Sequence, residues 1–241
     1  MSNRWASMAG PRSVKAARIV GLLTRRAVPP LAVALLRPRT RRPDVLLPLL
    51  ALGVWTAAEA LAEDDAANLD AARSSQRQDR GTRYAMLGAH LLAWWLPLLA
   101  ARHRRSQPAR TVAGVGLILA GGALRVTAVL TLGSRFTGHV RTVPQQRVCE
   151  RGPYAVVRHP SYVGLIGLNV GPALSCGAWP AAAVAAAATL VANACRVQVE
   201  ESALLEKLGK PYQDYITRTP RYVPRVRATG HPRRTEQSGL A

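Results

Sequence analysis

Thr111–Thr131 reads TVAGVGLILAGGALRVTAVLT, twenty-one residues with a single charge, Arg125. A helix of about 20 residues rises about 30 Å, the thickness of a bilayer's hydrocarbon layer. Four more apolar stretches flank this one: Val45–Ala62, Tyr84–Ala101, Ser161–Ala178 and Trp179–Cys195. One soluble domain of this size could hide one or two helices that are apolar all round, but hardly five. Inside lipid the backbone must satisfy its own hydrogen bonds, so each stretch is read as a helix. Trp94, Trp95 and Trp179 fall near proposed span ends, where interfacial aromatics belong. The expected fold class is therefore all-α, a polytopic membrane bundle of about five transmembrane helices. An Ala-rich soluble helical bundle is the competing reading.

Composition agrees with a membrane. The 241 residues carry 33 Lys+Arg against 13 Asp+Glu, a net charge of +20, yet 49% are hydrophobic. Disorder needs low hydrophobicity together with high charge, so it is excluded. The mean hydropathy of +0.03 averages two unlike populations, apolar blocks and Arg-rich connectors. Cys149, Cys176 and Cys195 are odd in number and lack metal-ligand spacing, so neither a disulfide framework nor a metal site is expected. Residues 1–44 form a basic arm with ten Lys/Arg and one acid, Asp44. Its patch Ile19–Leu36 is apolar but broken by Arg25-Arg26 and Pro29-Pro30, which suits an interfacial segment. Five spans put the chain ends on opposite faces, and the positive-inside rule disfavours this arm outside. Either Ile19–Leu36 hides a sixth membrane element or the rule fails. Residues 45–131 hold the first three spans, 132–226 a distinct polar region with spans four and five, and 227–241 a polar tail.

Glu59, His90 and Arg125 lie in or near the ends of spans, where ionisable residues are functional candidates by default. For Glu59 and His90, pairing within the bundle or snorkelling is the favoured alternative; for Arg125 the two readings are balanced.

The polar connector before the fourth span reads Arg151-Gly152-Pro153-Tyr154-Ala155-Val156-Val157-Arg158-His159-Pro160-Ser161-Tyr162-Val163-Gly164. Pro160 suits the first position of a helix, because its missing N–H would be unpaired there anyway. The helix start beside Arg158 and His159 then offers free N–H groups and a positive dipole end to an anion. After the fifth span come Arg196-Val197-Gln198-Val199-Glu200-Glu201, Gly209-Lys210-Pro211-Tyr212-Gln213-Asp214-Tyr215 and Thr219-Pro220-Arg221-Tyr222-Val223-Pro224. Arg196 and Glu200 are four apart and share one helical face, with Glu201 turned away by about 100°. An anion pocket facing a carboxylate would take a zwitterionic amino-acid moiety, although an Arg–Glu pair at this spacing is more often a plain helix salt bridge.

Order and spacing sharpen the reading. Arg-His-Pro-x-Tyr-x-Gly before a hairpin of spans, then Arg-x-x-x-Glu-Glu, then Gly-x-x-Tyr-x-x-Tyr, resembles the isoprenylcysteine carboxyl methyltransferase family. That family sits within a wider group of membrane phospholipid and isoprenylcysteine methyltransferases. The resemblance covers about Leu132–Pro224, including Leu132-Gly133-Ser134-Arg135-Phe136-Thr137, which looks like the family's approach to the motif. It implies an S-adenosyl-L-methionine pocket formed by the last two spans, the preceding loop and a C-terminal helix. Carried over by position, Gln146, Arg147, Val148 and Cys149 line that pocket, with Tyr154, His159, Pro160, Ser161, Tyr162 and Glu200 as further cofactor contacts. Arg196 faces the acceptor, so Arg196 and Glu200 are the expected catalytic pair. Many relatives have His-x-Leu-Val where this chain has Gln146-Arg147-Val148-Cys149, which puts side-chain contacts at Gln146 in doubt.

Beside these stand plainer roles. Tyr212 and Tyr215 are expected to dock the C-terminal helix, Arg158 and Glu201 to hold the loop together, and Cys149 to be a small pocket residue. The implied activity is O-methylation of a carboxylate on a prenylated cysteine or another lipophilic acceptor reached from the bilayer. The alternative is O- or N-methylation of a small phenolic, isoprenoid or phospholipid headgroup acceptor. The Ala- and Arg-rich composition resembles a high-GC bacterial genome, where prenylated proteins would be unexpected; the expected location is a bacterial cell membrane with the site facing the cytoplasm. Membrane sterol reductases, which use NADPH, have a similar hairpin but typically an acidic residue where Leu165 follows Gly164. A basic binder of nucleic acid or anionic lipid would suit the +20 charge. The Arg residues, however, are scattered over span-flanking connectors with no reading helix, so no specific nucleic-acid partner is expected.

Overall fold

The computed structural model describes residues 11–26, 28–63, 81–100, 105–136 and 147–225, and in these it is helical, with no strand. Two helices, α1 (Pro11–Arg26) and α2 (Val28–Leu36), precede five apolar ones. These are α3 (Pro43–Ala62), α4 (Thr82–Ala100), α5 (Pro108–Leu132), α6 (Pro160–Ser175) and α7 (Trp179–Leu208), followed by α8 (Lys210–Arg218). Each expected span is thus a helix, with shifted ends. Proline sets several starts: Pro43, Pro108, Pro160, Pro180 and Pro211 occupy the first or second helical position.

Among the described residues three helices are long and apolar enough to cross a membrane: α3, α5 with its 3-10 extension to Arg135, and α7. The second expected span is apolar over the shorter Tyr84–Leu99. The fourth, α6, has 16 residues, about 24 Å at the helical rise. It ends at Ser175 because a tight turn with Gly177 at φ +64° reverses the chain into α7. The fifth does not stop at Cys195 but runs on for thirteen residues to Leu208, carrying Arg196, Glu200 and Glu201 on continuous helix beyond the apolar part.

The bundle is held by two apolar layers. One gathers Leu52, Trp55, Trp94, Ile118, Leu165 and Leu168; the other gathers Ala34, Val45, Leu49, Leu98 and Cys176 at the α6–α7 turn. Leu50, Val54, Leu91, Val112, Leu119, Leu130 and Val191 point outward and are exposed. An apolar exterior around an apolar interior is what lipid-embedded helices require. The closest approach is between α5 and α6: a Cβ on Gly121 would lie 2.5 Å from the Gly164 carbonyl oxygen. Only small residues let backbones come this near.

The described part of the arm holds α1 and α2, of 16 and nine residues. Ala34 of α2 packs into the layer at the α6–α7 turn. There the Cys176 thiol donates to the Asp44 carbonyl (3.1 Å), and Asp44 pairs with Arg42 (2.6 Å).

Candidate functional site

The polar residues collect at the other end of the bundle. His159 is the residue before α6 and is buried, as are the start of α6 and Arg196 and Glu201 of α7. The hairpin brings its two ends together: His159 Nδ1 lies 4.0 Å from Glu200 Oε2, and His159 Nε2 lies 2.9 Å from Glu201 Oε1. Sequence separation there exceeds forty residues; the α6–α7 turn removes it.

The two adjacent carboxylates have different work. Glu201, 8% exposed, is a structural hub. Besides His159 it pairs with Arg158 (3.1 Å) and with Arg221. Arg158 also donates to the carbonyls of Ile216 (3.1 Å) and Thr219 (2.5 Å). The backbone N–H groups of Arg158 and His159 donate to the carbonyls of Pro220 (2.8 Å) and Arg221 (3.1 Å). The loop before α6 is thereby tied to the segment after α8, as expected of Arg158 and Glu201.

Glu200, 25% exposed, faces the opening instead. Its Oε1 accepts from the Tyr162 hydroxyl and from Arg196 Nε at 3.2 Å. Arg196 is itself buried and donates through Nη1 to Thr82 Oγ1 on α4 (3.2 Å). The Asn193 amide donates to the Tyr162 carbonyl (3.1 Å). The rings of Tyr162 and Tyr222 flank His159, with centroids 5.8 and 6.1 Å away.

Tyr154 sits in a 3-10 turn, Gly152–Ala155, on the path into this nook, and is buried. Burial, and then the charge of Glu200, push its phenol well above the usual range. Its carbonyl accepts from the buried Tyr215 hydroxyl at 2.6 Å. Tyr212 and Tyr215 meet at 5.9 Å with their rings tilted by 47° and dock α8, the packing role expected of them. Val148 and Cys149 are half-buried and Arg147 is exposed on the irregular run before the turn. Gln146 lies outside the described residues.

Ser161 turns toward α5 rather than toward Glu200. Its Oγ accepts from Arg125 Nη1 at 2.6 Å, while Arg125 grips Glu59 with two bonds of 2.8 and 2.6 Å. The flagged Arg125 and Glu59 are therefore partners. The third flagged residue, His90, meets the Asn169 amide at 3.3 Å in the bundle interior. Arg221, Thr82 and Asn193 were not expected at the site. The Thr219–Pro224 segment hinted at Arg221 by ending the motif series, whereas nothing local distinguishes Thr82 or Asn193 from span residues. Among the described residues no group of three or more His, Cys, Asp or Glu could hold a metal.

Fold and site together define an integral membrane helix bundle with one charged nook at the end of its last hairpin. Residues 114–206 match the model of the isoprenylcysteine carboxyl methyltransferase (ICMT) family. A protein-S-isoprenylcysteine O-methyltransferase B of Arabidopsis thaliana is 34% identical over 117 residues, covering 47% of this chain and 58% of its own length. A protein-S-isoprenylcysteine O-methyltransferase of Rattus norvegicus is 31% identical over 121 residues, 48% of this chain and 42% of its own. The chain thus spans about half the length of the curated relatives it matches. The solved structure of the eukaryotic intramembrane Ras methyltransferase ICMT has the same fold, with a TM-score of 0.55 at 22% identity over 88% of this chain and 75% of that one.

Proposed function

We propose that the protein is an S-adenosyl-L-methionine-dependent methyltransferase that esterifies a carboxylate on a prenylated cysteine or a similar lipophilic acceptor. The observation that carries this reading is the Glu200 carboxylate, part-exposed beside His159, Tyr162 and Arg196 at the start of α6. A zwitterionic amino-acid moiety needs an anion acceptor for its ammonium and donors for its carboxylate, and this nook has both. Glu200, Tyr154, Tyr162 and the first turn of α6 would hold the methyl donor, with Val148 and Cys149 on the wall beside it. Arg147 would sit at the rim, and the family resemblance adds Gln146.

When bound, S-adenosylmethionine supplies a sulfonium-borne methyl group. Transfer makes an O–CH₃ bond, breaks the S–CH₃ bond and neutralises both charges, so a carboxylate acceptor needs no general base. The chain's task is then alignment and exclusion of water. Arg196, with a fork of donors held by Glu200 and Thr82, would orient the acceptor carboxylate at the inner edge of the nook. The lipid tail would enter between helices from the bilayer, and the nook would face the cytoplasm.

The direct test is S-adenosylhomocysteine binding by calorimetry on the purified full chain in detergent, with tritiated methyl transfer to a prenylated cysteine and to membrane lipid extracts. Binding with transfer to the prenylated cysteine supports the reading. Binding with transfer only to a lipid phenol or amine moves the acceptor to that class. Absence of binding removes the methyltransferase assignment.

A further inference from the structure

We propose that Arg125 is a positioning residue which, locked by Glu59, holds the Ser161 hydroxyl as a hydrogen-bond donor toward the ligand at the start of α6. This rests on the methyl-donor site proposed above.

Because α5 and α6 meet glycine to backbone, there is no side chain at Gly164 to displace Arg125, whose Cβ would lie 3.1 Å from a Cβ placed there. The guanidinium therefore lies along the first turn of α6. It offers five N–H donors in a rigid plane. Nε and one N–H of Nη2 are taken by the two oxygens of Glu59, which fixes the plane; Nη1 then donates to Ser161 Oγ at 2.6 Å. The Phe136 ring closes one face of the cation, its centroid 5.7 Å from Cζ. A cation gripped this way cannot swing out, since leaving Glu59 would strand two charges inside the bundle.

A serine hydroxyl has one proton and two lone pairs. With an Arg125 N–H on its oxygen, the Ser161 proton must point away from the guanidinium. Ser161 is the second residue of α6, so the carbonyl four residues back, Val157, lies before the helix. Among the described residues no acceptor takes that proton, although the residue is only 6% exposed. A buried donor left over at the start of α6 is matched to an incoming acceptor atom. Its neighbours in the chain, His159 and Tyr162, already line the nook with Glu200. The acceptor atom is assigned to the nucleoside or amino-acid oxygens of the methyl donor. Arg125 itself touches Ser161, not the ligand.

Acting through one atom has a signature that mere stabilisation lacks: the two residues' effects must not add. On the full chain in detergent, S161A and R125M should each weaken S-adenosylhomocysteine binding by about tenfold, and R125M/S161A should also weaken it by about tenfold. R125K, which keeps an N–H for Ser161, should recover most of the affinity lost in R125M. A double variant weaker by about a hundredfold, or R125M binding like the wild type, overturns the proposal. Should R125M not purify as a monodisperse protein, R125Q runs the same cycle with the same two outcomes. Wild-type protein that binds no S-adenosylhomocysteine overturns the parent reading, and this one with it; wild-type binding with an additive cycle overturns this one alone.

Discussion

His159 Nε2 lies 2.9 Å from Glu201 Oε1, while its Nδ1 is 4.0 Å from Oε2 of the neighbouring Glu200. One imidazole thus marks the border between a carboxylate consumed by structure and a carboxylate turned to the opening. Glu201 is matched by Arg158, His159 and Arg221; Glu200, the more exposed of the two, bonds Tyr162 and Arg196 through one oxygen, Oε1.

Glu201→Gln should therefore be a folding lesion. It strands the buried Arg158 guanidinium, a loss on the order of 3–5 kcal/mol for breaking a buried pair. Thermal unfolding in detergent should shift strongly downward, and by more than for the part-exposed Glu200→Ala, whose main effect should be to abolish S-adenosylhomocysteine binding. Equal melting shifts for the two variants would contradict this division.

Arg196→Ala should separate acceptor from cofactor. Its fork is assigned to the acceptor carboxylate, so kcat/KM for the acceptor should fall about a hundredfold or more, roughly 3 kcal/mol of transition-state stabilisation. The dissociation constant for S-adenosylhomocysteine should change by less than about threefold. Parallel losses in turnover and cofactor affinity would move Arg196 to the cofactor side.

Gly121→Val should abolish the folded bundle, because the Gly164 carbonyl oxygen lies 2.5 Å from the first added carbon and is backbone that cannot rotate away. Gly116→Ala is the control, since nothing lies within 4 Å of the added methyl. Monodisperse yield by size-exclusion chromatography, lost for the first and kept for the second, checks the α5–α6 contact.

Alkaline pH should loosen the C-terminal hook. Burial raises the phenols of Tyr154, Tyr212 and Tyr215 above the ordinary value. Groups whose folded pKa exceeds the unfolded one contribute stability below about pH 10 and lose it as pH rises further. Unfolding followed by absorbance of ionised tyrosine should show a steady region up to about pH 10 and a fall above it. Tyr215→Phe, lacking the 2.6 Å bond to the Tyr154 carbonyl, should start from a stability lower by about 1 kcal/mol. Tyrosine ionisation complete near pH 10 would show these rings to be solvated.

Among the described residues the apolar runs were enough to locate α3 to α7, because lipid leaves the backbone no alternative. The order Arg158-His159-Pro160, Arg196, Glu200-Glu201 likewise marked the chemical end of the chain. The residues by themselves did not separate the two glutamates; the family resemblance set Glu200 apart as a cofactor contact and left Glu201 to hold the loop. Both follow Arg196 on one helix, and their roles diverge only because α6 brings His159, Arg158 and Tyr162 against them from across the hairpin. Nor could the sequence pair Glu59 with Arg125, which sit on different helices sixty-six residues apart. That pairing depends on the glycine contact between α5 and α6, which fixes the depth at which the guanidinium meets Ser161. Local periodicity determines where a helix runs; the register between helices, set by close packing, determines which charges meet.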